Sequence, residues 1–198
     1  MTGLVLLTGV IGFVGSQILK VLRQRDIKVR VVIREGTQSR LLNWKPIESI
    51  VSTEDLFAEN SDWWANACQG IDIVIHAAWY AEPSQYLQSA KNIDCLTGTL
   101  QLAKGAAQSK VRRFIGIGTC FEYDLTHGML SVQTPLRLLT PYAIAKAGAF
   151  IALSQVLPQQ EVKFAWCRLF YLHGEGVYTK SPKISSKFLT ALPQLDFA

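Results

Sequence analysis

The chain has 198 residues, 49% of them hydrophobic and 18% charged, with a formal net charge of +5. That length supports one core of roughly 150 to 200 residues and excludes a second domain of ordinary size. The Lys and Arg residues are scattered, apart from short clusters at 23–34 and 180–187, which argues against a nucleic-acid partner and for a basic cleft facing an anionic small molecule.

In chain order, the apolar run Leu4 to Leu7 predicts a first strand. Thr8-Gly9 interrupts it too early for a signal segment or a membrane span, so a cytoplasmic location is expected. The turn Thr8-Gly9-Val10-Ile11-Gly12-Phe13-Val14-Gly15 leads into an amphipathic helix over Gln17 to Leu22. Val29 to Ile33 is a second strand ending in the turn Arg34-Glu35-Gly36, Ile47 to Val51 a third, and Asp62 to Cys68 a short helix. Ile71 to Ile75 is a fourth strand, Tyr86 to Gln108 one long helix, and Arg113 to Ile117 a fifth strand. Pro141 to Leu157 is a helix with Pro158 just past its end, and Val162 to Leu169 a sixth strand. Strands alternating with helices predict an α/β, doubly wound parallel sheet, the Rossmann arrangement. Ligands of such a sheet lie beyond the carboxyl ends of the strands, where Gly9, Arg34, Asp55, Ala78 and Thr119 all fall.

The glycine turn has a physical use. Gly9 allows a tight turn, Gly12 lets backbone N–H groups reach phosphate oxygens, and Gly15 lets the helix lie close to the strand, so that the positive helix end meets a pyrophosphate. Ile11, Phe13 and Val14 belong to the same cradle. Further along, Tyr142 and Lys146 stand four residues apart on one helix face, with Thr119 upstream at a strand end. A phenol near pKa 10 is a poor base at neutral pH, and the lysine charge is expected to favour its phenolate. Cys68, Cys95, Cys120 and Cys167 have no close pair, so neither zinc nor a disulfide is expected and buried free thiols are.

Taken with Asp55-Leu56, His76-Ala77-Ala78, Gly98-Thr99, Gly118-Thr119 and the stretch from Arg168 to Gly174, these motifs resemble the extended short-chain dehydrogenase/reductase family over about Leu4 to Gly174. The resemblance implies an NAD(P)-binding domain at 1–174 and the start of a truncated substrate lobe at 175–198. It implies Tyr142 as acid or base, Lys146 on the nicotinamide ribose, and Thr119 holding the substrate oxygen. It further implies cofactor contacts from Asp55, Leu56, Ala77, Ala78 and Trp79, substrate contacts from Cys120 and Tyr171, and a homodimer through the two long helices. The activity implied is epimerisation, dehydration or 4-ketoreduction of a nucleotide-activated sugar. A reductase of another carbonyl and a non-catalytic NAD(P)-binding regulator are the alternatives. Arg34, where a ribose-binding carboxylate would repel a 2′-phosphate, favours NADP, with Arg40 nearby; Glu35 keeps NAD open.

Several positions depart from the family's pattern. Cys95 occupies the place of a catalytic asparagine, and Asn92 one turn earlier is either a substitute or a solvent-facing amide. Gly118 replaces a small hydroxyl residue, Trp79 a small one, and Tyr171 a substrate-touching asparagine. Glu122 is either a second acid/base group or a strand-end carboxylate, and His76 is expected to pack structurally.

Overall fold

The structure, a computed structural model, describes residues 3–38 and 47–172. Its elements are β1 (Val5–Thr8), α1 (Phe13–Gln24), β2 (Val29–Arg34), β3 (Ile47–Thr53), α2 (Ser61–Ala67), β4 (Ile73–His76), α3 (Lys91–Gln108), β5 (Arg113–Thr119), α4 (Pro141–Gln159) and β6 (Lys163–Leu169). The six strands form one sheet in the order β3-β2-β1-β4-β5-β6, every pair parallel. This is the predicted doubly wound α/β sheet. Strand order reverses between β1 and β4, which opens the ligand crevice of such sheets at the ends of these two strands.

Alternation along the strands feeds two cores. Leu6, Val74, Phe114 and Phe164 stand in register across β1, β4, β5 and β6 and face α2, α3 and α4. Leu7, Val31 and Ile33 point the other way, under Leu19 of α1. The edge strand β6 buries Trp166 and Arg168 partly on one face and leaves Cys167 exposed on the other. The other three cysteines are buried.

Two helix boundaries differ from expectation. The single helix expected from Tyr86 is a 3₁₀ turn at Tyr86–Gln88, a break, and then α3. The Asn92 side chain donates to the carbonyls of Tyr86 (2.6 Å) and Ser89 (2.9 Å), replacing the bonds a continuous helix would have made. α4 runs through Pro158 to Gln159. Pro158 has no N–H to continue the i→i−4 ladder, and the helix ends one residue later.

The part of the sequence expected to begin a substrate lobe, with Gly174 and His173, lies outside the described residues, as does Arg40.

Candidate functional site

A cavity of about 510 Å³ runs across the carboxyl ends of the strands, lined from Gly9 at one end to Tyr171 and Leu172 at the other. Its first part is built from backbone. Gly9 adopts φ +73°, and a Cβ there would come within 2.8 Å of the Ala77–Ala78 backbone. A Cβ on Gly15 would fall 2.1 Å from the Gly9 carbonyl oxygen, so only glycine lets α1 start this close to β1. Gly12, by contrast, has a single near neighbour, Gly9 O at 3.3 Å, and otherwise faces open cavity. Gly12 provides no side-chain cap and the first turn of α1 holds no acidic residue. The first N–H groups of α1 and its positive end are therefore presented to an anion. The cradle thus suits a dinucleotide pyrophosphate.

Phe13, Val14, Arg34, Leu56, Ala77, Ala78 and Trp79 line this cavity as expected. Two expected contacts do not. Ile11 packs into the core under α1, and the Asp55 carboxylate accepts the Phe57 N–H at 3.0 Å, capping its own turn. Phe57 lines the cavity instead, as do Tyr86 and Phe121. Phe57 directly follows Asp55-Leu56 and Phe121 follows Thr119-Cys120, the signals that could have found them, whereas Tyr86 adjoins no site motif and only the folded arrangement identifies it.

Behind the cradle, buried His76 joins two threonines. Thr99 donates its hydroxyl to Cys95 O at 2.7 Å, so it accepts from His76 Nε2–H at 2.9 Å. The Nδ1 atom is then the acceptor of the Thr8 hydroxyl at 2.8 Å, and Thr8 Oγ1 accepts the Ala78 N–H at 3.3 Å. This chain of bonds requires a neutral imidazole, and burial, with the nearby Lys146 charge, holds the histidine pKa down to about 3. The histidine is structural, as expected, and it fixes the Ala78 backbone against the cradle.

The second part of the cavity is built from side chains. Thr140 caps α4 by accepting the Ala143 N–H at 3.1 Å, with Pro141 at the first helical position. Tyr142 therefore sits in the first turn and lines the same cavity as Thr119. Trp79, Tyr86 and Phe121 meet the Tyr142 ring edge-on, with centroids 6.3, 4.9 and 6.5 Å away. Burial raises the phenol well above its ordinary value, opposed by the Thr119 hydrogen bond.

Lys146 is 3% exposed, and burial brings its ammonium down to about 7. It donates to Ile117 O at 2.5 Å and lies 3.8 Å from the centre of the Trp79 ring. The expected lowering of the Tyr142 pKa by Lys146 is not what the structure shows: burial raises it, and that effect outweighs every other influence on the phenol.

The departures from pattern acquire places. Cys95 accepts the Tyr80 N–H at 3.3 Å, its thiol pushed up to about 11 by burial. Asn92 is fully buried rather than solvent-facing, and accepts the Trp79 indole N–H at 2.9 Å, so it orients two of the rings around Tyr142 through Trp79 and the Tyr86 carbonyl. Glu122 is buried, with both oxygens engaged by protein donors, which makes it the strand-end carboxylate and removes it as a second acid/base group. Cys120 lines the cavity, and Tyr171, 63% exposed, sets its ring against Phe121 at 6.2 Å. Among the described residues no group of three His, Cys, Asp or Glu could hold a metal ion, and no helix is long and apolar enough to cross a membrane.

The sequence model of the NAD dependent epimerase/dehydratase family matches residues 5–194. The chain is 25% identical over 199 aligned positions to the dTDP-6-deoxy-L-talose 4-dehydrogenase (NAD(+)) of Aggregatibacter actinomycetemcomitans, covering 94% of this chain and 67% of that protein. Its fold is similar to the dTDP-glucose 4,6-dehydratase of Streptomyces venezuelae, solved with NAD bound, at TM-score 0.70 and 21% identity over 83% of this chain and 55% of that one. It is equally similar to the UDP-glucuronic acid 4-epimerase of Bacillus cereus in complex with NAD, at TM-score 0.70 and 20% identity over 86% and 57%. The chain thus spans little more than half the length of these solved proteins.

Proposed function

Since the chain belongs to the NAD dependent epimerase/dehydratase family, within the extended short-chain dehydrogenase/reductases, we propose that it exchanges hydride between a nicotinamide dinucleotide and the 4-position of a nucleotide-activated sugar. The observation that carries this reading is the meeting, in one cavity, of the glycine cradle with Thr119, Tyr142 and Lys146. When bound, the nicotinamide supplies the hydride donor or acceptor.

The chain's own residues do the rest. The cradle of Gly9, Gly12 and Gly15 holds the pyrophosphate, and Lys146 holds the ribose. Thr119 orients the sugar oxygen by hydrogen bonding, and Tyr142, kept as a neutral phenol, donates its O–H proton to that oxygen as a ketone becomes an alcohol. Cys120 and Tyr171 lie where they would contact the sugar.

Arg34, exposed at the cavity rim, supports NADP as the cofactor, because its guanidinium can take a 2′-phosphate. The names of the relatives support NAD. Exposed Ile93 and Leu100 on α3, with Ile144, Ile151 and Val156 on α4, support a homodimer in which the two helices of each copy meet as a four-helix layer.

Reduced-cofactor fluorescence tests the reading. NADH or NADPH should bind the unmodified chain, and a 4-keto nucleotide sugar should then discharge the signal as the cofactor is oxidised. Binding without discharge by any dTDP- or UDP-linked ketosugar would leave a cofactor-binding regulator as the function.

A further inference from the structure

The break between the 3₁₀ turn and α3 puts a buried amide beside the cavity. Asn92 is fully buried, and its two side-chain N–H donors are taken by the carbonyls of Tyr86 (2.6 Å) and Ser89 (2.9 Å). Its remaining polar atom, Oδ1, accepts the Trp79 indole N–H at 2.9 Å. A rotated amide would set its oxygen against two carbonyls and its own N–H against an indole that can only donate, so the orientation is fixed.

Trp79 carries that constraint to Lys146. Its ring stands nearly perpendicular to those of Phe57 and Tyr142, with centroids 6.4 and 6.3 Å apart, and its centre lies 3.8 Å from Lys146 Nζ. The ammonium is 3% exposed and donates to Ile117 O, and among the described residues no carboxylate forms a salt bridge with it. The indole face is then the partner of a desolvated cation, the setting in which such a contact is strongest. Trp166 presents a second ring farther off, at 5.8 Å. Cys95, in the place of the family's catalytic asparagine, is occupied elsewhere: its sulfur accepts the Tyr80 N–H at 3.3 Å.

We infer that Asn92 is the positioning residue for Lys146: by holding the Trp79 N–H it sets the indole face on which the ammonium rests, and so fixes where Nζ stands in the cavity. The break ahead of α3 serves this purpose, since it is what turns the amide of Asn92 toward Trp79. The inference rests on the ribose-holding role given above to Lys146, but its first test uses neither cofactor nor substrate.

The 198-residue chain carrying lysine labelled with ¹³C at Cε is observed by proton-carbon NMR. Protons above an aromatic face are shielded, so the Lys146 Hε resonance should lie upfield of the other lysines, and its loss in Lys146→Met identifies it. Asn92→Leu removes the acceptor at similar size, and the resonance should return to the common lysine position as the indole is released. Its absence upfield in the unmodified chain, or its persistence there in folded Asn92→Leu, overturns the inference. Should that variant not fold, Trp79→Phe keeps a ring and removes the N–H; the upfield shift should again be lost, and its retention overturns the inference equally. Dinucleotide affinity in the variant used should fall about tenfold, the loss of one contact from a charged donor. An unchanged affinity beside a displaced resonance overturns the positioning role. Failure of the unmodified chain to bind a nicotinamide dinucleotide would sink the functional reading while leaving the resonance test as it stands.

Discussion

The two parts of the cavity are made from different material. The cradle at 8–15 is backbone: its shape comes from three glycines, each excluded from being anything larger by a carbonyl or by the space a ligand needs. The reacting end is side chain: Thr119 from β5, Tyr142 and Lys146 from α4, Trp79 after β4, and Glu122 behind them, each with properties set by what buries it. Backbone geometry is written in a few neighbouring residues, whereas the acidity of a phenol or an ammonium depends on groups from five elements. A glycine motif can therefore be read as a phosphate site, but a Tyr and Lys four residues apart cannot be read as an ionised pair.

The largest expected separation of the two parts comes from Tyr142→Phe. It removes the donated proton and keeps the ring among Trp79, Tyr86 and Phe121, so turnover should drop about a hundredfold to ten-thousandfold. Dinucleotide affinity measured by calorimetry should stay within about twofold of the unmodified chain, since the cradle is untouched. Full turnover in this variant would remove Tyr142 from the mechanism.

Acid should act through the histidine that links the parts. The folded-state pKa of His76, about 3, lies below its usual 6.5, so between these values the unfolded chain binds the extra proton and stability falls as pH drops. By pH 5 the loss should reach about 2 kcal/mol, at about 1.4 kcal/mol per pH unit. His76→Gln, which can still donate and accept, should flatten that slope in urea titrations repeated across pH. Lys146 has its own window higher up: its folded value of about 7 against the usual 10.5 means that stability rises with pH across that range, and Lys146→Met should abolish the rise.

Within the cradle, Gly15→Ala should destabilise by about 1 to 3 kcal/mol, because its methyl would collide with the Gly9 carbonyl and the backbone would have to shift. Gly12→Val, facing open cavity, should fold and lose dinucleotide affinity instead. Equal stability costs for the two would show that the cradle is merely a tight turn. The smallest effect belongs to Arg34→Ala. Exposed at the rim, Arg34 should favour NADP over NAD by about tenfold, roughly 1.4 kcal/mol, and its removal should equalise the two. Tighter binding of NAD by the unmodified chain would decide the cofactor the other way.

By itself the sequence determined the layout. Buried parallel strands read as continuous apolar runs, so Leu4 to Leu7, Val29 to Ile33 and Ile71 to Ile75 located β1, β2 and β4 within about two residues, and the glycine spacing located the cradle because its constraint is local. What only the tertiary structure decided was everything that rests on burial or on partners far along the chain. The break at Ser89 depends on the Asn92 amide returning to two carbonyls. That Ile11 is outside the cavity lining depends on its packing under α1, and that Phe57 rather than Asp55 lines it depends on how the loop after β3 settles. The protonated state of Tyr142 and the captive role of Glu122 depend on desolvation and on Arg168, 46 residues away. Periodicity and spacing record which faces must be buried; they carry no record of the dielectric a side chain meets once it is there.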